Sequence, residues 1–149
     1  MNGKEMVAKI NDGSIPKSPI ELLLGAERVR VGSGKSILTM AVSEKYYNPS
    51  GTLHGGILCD FADLAMGHAL VSELEEGEIF TTVELKQNFL KPVWEGIIRA
   101  EGEVIKRGRK TALLACRIYD ENGSLVAYTT STCMFIKGNI GGNRVKLAD

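Results

Sequence analysis

Between residues 46 and 70 the chain reads YYNPSGTLHGGILCDFADLAMGHAL. A polar loop passes through His54-Gly55-Gly56 into an almost wholly apolar segment that still carries Asp60, Asp63 and His68. Burying a carboxylate without a partner is costly, so these groups need either a structural partner or a chemical task. If a helix begins at the glycines, the amides of Gly55 and Gly56 lack intrahelical acceptors and lie at the positive end of the helix dipole. Glycine also lets a substrate approach the backbone closely. Such a site suits a carbonyl oxygen that gains negative charge during attack. A glycine-rich lead-in turn with no ligand has the same local signature.

Asp63 lies eight residues beyond Gly55, about 12 Å along a helix at 1.5 Å per residue. A general base works within about 3 Å of its target or one water away. If Asp63 and Gly55 act on one carbonyl, they must therefore come from different copies of the helix, antiparallel about a two-fold axis. The alternative is a buried Asp63 tied to a nearby donor. Asp60, close to the helix start, suits a structural role beside the dipole. His68 reads as a hydrogen-bonded core residue, and Cys59, with no activating partner in view, as packing.

The rest of the chain must position these groups. It has 149 residues, eighteen basic and eighteen acidic, with 44% hydrophobic content, which fits one globular domain. The balanced charge argues against general nucleic-acid binding and against broad attachment to anionic membranes. No apolar run reaches the roughly 20 residues that span a bilayer, and the N-terminus has no signal-peptide core, so a cytoplasmic protein is expected. Cys59, Cys116 and Cys133 form no CxxC pair and read as reduced core residues rather than a disulfide frame or zinc site. No metal and no cofactor is expected.

Residues 1–17 are polar with weak periodicity. Ser18-Pro19-Ile20-Glu21 has the serine cap, first-turn proline and glutamate of a helix start, and Gly25 would end a helix over 19–24. Strands are expected near 26–31 and 36–43, joined by Gly32-Ser33-Gly34-Lys35. The run GSGKS fails as a phosphate loop: Val29 stands where that motif needs glycine, and the following ILTMAV suits a strand. From 54 to 72 the pattern is helical and apolar on nearly every side, as in a buried helix. Strands follow near 80–90, 93–106, 111–120 and 124–136. In these, Ile98, Ala100, Gly102 and Val104 alternate with Arg99, Glu101 and Glu103, with turns at Gly108 and Asn122-Gly123. The layout is α+β: one long helix wrapped by a curved antiparallel sheet, in a domain over 1–137 with a flexible tail at 138–149.

Asn48-x-x-Gly51-x-x-His54-Gly55-Gly56, with Asp63 nine residues after His54, resembles the hotdog-fold thioesterases of the PaaI-like and 4-hydroxybenzoyl-CoA thioesterase group. The resemblance extends through VELKQNFLKP at 83–92, Arg107-Gly108-Arg109 and the closing strands, covering about 25–136. It implies a hotdog fold, homodimers usually paired into tetramers, sites across the dimer interface, and hydrolysis of acyl-CoA. On it, Asn48 and the Gly55 amide would polarise the thioester carbonyl, with Gly56 beside them. His54 would support that loop or the thiol side of the scissile bond. Asp63 of the other copy would activate water or attack directly. Thr82, with Thr81 as a rival, matches a water-holding serine of some members. The tip carrying Lys106, Arg107, Gly108, Arg109 and Lys110 would lie near the nucleotide end of CoA, where cations suit phosphates; an ordinary solvated hairpin tip is the alternative. An acyl-CoA-binding sensor and a hotdog dehydratase or hydratase are the rival functions.

Overall fold

The structure is a computed structural model that describes residues 1–141 and 144–147, with backbone only from 139 onward. A short helix, α1 (Gly3–Asn11), opens the chain. The weak periodicity of residues 1–17 predicts no element there, so this helix is an addition to the sequence reading. Asn2 and Glu5 form a reciprocal capping box at its start, a device that satisfies two orphan amides at once. Gly3 anchors the helix: its amide donates to the Leu74 carbonyl at 2.9 Å, and any side chain there would strike the Val71 carbonyl.

Helix α2 (Pro19–Leu24) has the expected Ser18–Glu21 capping box and ends on Gly25 at φ 67°. Strands β1 (Glu27–Gly32) and β2 (Lys35–Ala41) follow. Their turn has positive φ at both Ser33 (53°) and Gly34 (68°), the twist that suits a two-residue hairpin. Lys35 lies in the sheet rather than in a phosphate loop.

The long helix α3 spans Gly55–Val71, and β3 (Glu78–Phe89), β4 (Ile97–Arg107), β5 (Thr111–Tyr119) and β6 (Leu125–Gly141) complete the main sheet. Strand β4 starts four residues later than the sequence suggests, because residues 90–96 form a loop through Pro92. β6 runs past 136 and pairs with β7 (Arg144–Leu147); the tail expected at 138–149 falls partly outside the described residues. The strand order is β1-β2-β4-β5-β6-β3, antiparallel throughout, with β1 and β3 at the edges.

Helix α3 lies on the middle strands β2, β4 and β5. Leu58, Phe61, Ala62, Ala65, Met66, Ala69 and Leu70 form its buried stripe, at the i, i+3, i+4 spacing of one helix face. Phe61 is fully buried, and its truncation to alanine would cost about 3–5 kcal/mol. The helix seats directly on the sheet: a side chain at Gly102 would meet the Ala65 carbonyl at 2.6 Å, and Ser36 Oγ donates to that carbonyl at 2.6 Å. Burial on every side was expected, but only this stripe is covered within one chain. Asp63, Leu64, Gly67 and His68, on the opposite side, are only partly covered, and Asp60 is exposed.

Strand β3 contains a bulge at Val83, where Thr82 and Glu84 pair with successive residues of β6. The extra residue shifts the alternation. Phe80 and Thr82 are partly covered before it, Leu85 and Gln87 after it, and charged Glu84 and Lys86 are turned outward to solvent.

Candidate active site

Asp63 projects from the middle of α3 toward β3, where Thr82 Oγ1 donates to its Oδ1 at 2.9 Å. Thr81, one residue earlier, is exposed; neighbouring strand residues point to opposite faces. The second carboxylate oxygen of Asp63 has no protein donor among the described residues. Asp63 and Thr82 line a cavity of about 470 Å³.

The glycine end is built differently. His54 caps α3 with its backbone, its amide donating to the Tyr46 carbonyl at 2.9 Å. Its exposed ring lies against Gly56. The Gly55 and Gly56 amides have no acceptor among the described residues. The Phe89 ring covers Gly55 so closely that a methyl group there would sit 2.8 Å from it. Asn48 braces the loop: its Oδ1 accepts from the Ser50 and Thr52 amides at 2.9 and 3.1 Å, and its Nδ2 donates to Thr52 Oγ1 at 2.9 Å. One Nδ2 proton remains. Asn48, Gly55 and Phe89 line a second cavity of about 480 Å³. No residue lines both cavities, so one chain keeps the carboxylate and the glycine amides apart.

The basic tip divides in two. The Arg107 guanidinium donates to the Glu73 and Gly108 carbonyls at 2.9 and 2.8 Å and to Glu78 at 2.5 Å, and it stacks 4.2 Å from the Phe135 ring centre. It is committed to holding the tip beyond the C-terminal end of α3, the end opposite Gly55. Gly108 closes the turn by donating to the Thr111 carbonyl. Lys106, Arg109 and Lys110 are exposed and have no ion pair among the described residues.

His68 is hydrogen-bonded, as expected, but its partner is a feature the sequence hides. Its Nδ1 lies 2.9 Å from the Leu64 carbonyl and its Nε2 3.3 Å from Glu21. Glu21 is 1% exposed and also pairs with Arg28 at 2.5 Å. Burial alone would raise the Glu21 carboxyl. Hydrogen bonds from His68, Arg28 and Ser18 outweigh it and hold the group well below the usual carboxylate range. The thiols are the reverse case. Burial pushes Cys116 up to about 12 and raises Cys133 and Cys59 as well, so none is poised as a thiolate. Cys59 Sγ instead donates to Gln87 Oε1 at 2.9 Å.

Among the described residues no group of three or more histidine, cysteine, aspartate or glutamate side chains is placed to hold a metal ion. No helix is long and apolar enough to cross a membrane.

Residues 50–127 match the family model of the thioesterase superfamily. The chain belongs to that superfamily. This thioesterase is 31% identical over 109 residues to a 1,4-dihydroxy-2-naphthoyl-CoA hydrolase of Listeria monocytogenes, covering 73% of this chain and 89% of that one. It is 30% identical over 100 residues to the proofreading thioesterase EntH of Klebsiella pneumoniae, covering 67% of this chain and 73% of the relative. Among solved structures, a thioesterase family protein from Silicibacter pomeroyi superposes with a TM-score of 0.79 at 32% identity, covering 89% of this chain and 99% of that one. The thioesterase therefore has the hotdog fold, with α3 as the helix held by the sheet, and is a thioester hydrolase.

Proposed function

We propose that the protein hydrolyses acyl-CoA thioesters in a site completed by two copies of the chain. The observation that carries this reading is the separation of the parts: Asp63 with Thr82 opens into one cavity, and Asn48 with the Gly55 amide into another. Antiparallel packing of two α3 helices would bring the carboxylate of each beside the amides of its mate. Edge strand β3 supports this. It is twelve residues long, lies at the edge of the sheet and exposes Val83 and Phe89, and the unpaired backbone groups of a long edge strand are a template for pairing with another chain.

In this site the Gly55 amide and the remaining Asn48 proton hold the thioester oxygen as charge develops on it. Thr82 occupies Asp63 Oδ1 and leaves Oδ2 to face a water. Asp63 takes a proton from that water as its oxygen attacks the carbonyl carbon, or attacks the carbon itself and forms an acyl intermediate that water then cleaves. The carbon–sulfur bond breaks, the CoA thiolate takes up a proton, and the acyl group leaves as carboxylate. Exposed Arg109 and Lys110 are the groups suited to CoA phosphates, whereas Arg107 anchors the tip that presents them.

The test is thiol release from acyl-CoA esters. Asp63→Asn should nearly abolish turnover while the protein stays folded and assembled. Mixing refolded Asp63→Asn and Gly55→Val chains should restore part of it, since mixed pairs contain one intact site. Hydrolysis by Asp63→Asn at the native rate would refute the role of Asp63, and failure of every mixture would refute the shared site.

A further inference from the structure

The cavity that contains Asp63 and Thr82 is a largely apolar chamber, and the N-terminal arm, residues 1–16, forms one of its walls. Leu64, Gly67 and Val71 of α3 and Phe80 of β3 form its floor, and Met6, Ile10, Ile15 and Pro16 face them from the arm. Gly67 leaves space that a side chain would fill, and the Phe80 ring lies 3.5 Å from that position. At about 470 Å³ the chamber lies within the roughly 300–1,000 Å³ of small-molecule sites.

The arm is fastened. Arg28 donates to the Ile15 and Pro16 carbonyls at 2.9 and 3.1 Å, and Asn11 donates to the Val31 carbonyl at 2.8 Å. The same contacts settle the chamber's chemistry. Of the side chains that line it, the Arg28 guanidinium and the His68 imidazole are both turned to Glu21 and Asp63 is acidic, so among the described residues no lining side chain is left as an unpaired cation to meet a negative group on an acyl chain.

Resting on the acyl-CoA hydrolase reading, we infer that the N-terminal arm is the wall of the acyl pocket, that Met6 sets the room available, and that the accepted acyl group is apolar and uncharged. Met6 is only partly covered, and its flexible side chain can be exchanged with little cost to the fold.

The experiment measures kcat/KM for acetyl-, hexanoyl-, phenylacetyl- and succinyl-CoA with the native protein, Met6→Trp and Met6→Ala, each checked for native melting. The native protein should prefer hexanoyl- or phenylacetyl-CoA over succinyl-CoA by at least about tenfold, and Met6→Trp should lower the two large apolar substrates about tenfold or more while sparing acetyl-CoA. Met6→Ala should move the preference toward larger groups. Folded variants with the native acyl profile would overturn the inference, as would a native preference for succinyl-CoA; the groove would then belong to another occupant, such as the second copy. Binding of a non-hydrolysable thioether analogue of hexanoyl-CoA, measured by calorimetry, separates the two claims. If no ester is hydrolysed but Met6→Trp weakens the analogue about tenfold, the hydrolase reading fails and the arm's role stands. If the analogue does not bind, or binds all three proteins equally, the arm's role fails.

Discussion

Thr82 donates its hydroxyl proton to one oxygen of Asp63 at 2.9 Å, which fixes that carboxylate at the wall of its cavity. A hydrogen bond to a charged group is worth about 1.5–3 kcal/mol, or roughly ten- to a hundredfold in rate where it orients a reacting group. Thr82→Val should lower kcat by that range with a smaller change in KM, whereas Thr81→Val, on the exposed side, should leave both unchanged. Steady-state thiol release checks both variants.

Gly55 lies under the Phe89 ring, and an added methyl group would meet the ring's far end at 2.8 Å. Phe89 is 57% exposed, so the ring can swing away at little cost to stability. Gly55→Ala should therefore melt near the native temperature and lose activity, because the ring is displaced within the cavity shared with Asn48. Gly55→Ala combined with Phe89→Leu should regain part of the loss.

The Glu21–Arg28–His68 cluster gives a stability prediction with a definite sign. The Glu21 carboxyl is held below its ordinary value of 4.5 in the folded state. Its contribution is thus fully present above pH 4.5 and is lost as pH falls through and below that value toward its folded-state range. Glu21→Gln leaves Arg28 without its charged partner and should cost about 3–5 kcal/mol at neutral pH. It should also flatten the acid limb of the melting temperature against pH. A variant as acid-sensitive as the native protein would remove Glu21 from this account.

Substitutions at the β4–β5 tip should separate by neighbour. Arg107→Ala breaks contacts to Glu73, Gly108 and Glu78 and should lower the melting temperature. Arg109→Ala and Lys110→Ala touch no partner among the described residues. They should leave melting unchanged, raise KM for acyl-CoA and reduce the dependence of KM on salt, as expected for lost phosphate contacts.

Helix α3 was legible because its apolar run is long and begins at a glycine pair, and the paired strands because Ile98, Ala100 and Gly102 alternate so regularly. The bulge at Val83 was not legible. Nothing local marks it, yet it decides that Leu85 and Gln87, not Glu84 and Lys86, lie on the helix side. Helix α1 was hidden by its polarity, although Asn2 and Glu5 carry the capping-box spacing, and Met6 and Ile10 follow one turn apart. In the Glu21–Arg28–His68 cluster, Glu21 meets partners seven and forty-seven positions away; such partners meet only through the fold. Asn48 was singled out for its type, but its bonds to Ser50 and Thr52 arise from the loop's own shape.

The bare backbone contact between Gly102 and Ala65 has a consequence for how this chain tolerates change over time. Only the small Ser36 hydroxyl joins the two main chains at that point, so the height of the helix above the sheet there is set by backbone contact and one short hydrogen bond. Neighbouring core residues can be exchanged for larger or smaller ones without lifting Asp63, two positions away, off Thr82. Drift in the interior and accuracy at the carboxylate are thereby uncoupled, and the residue that cannot drift is the glycine.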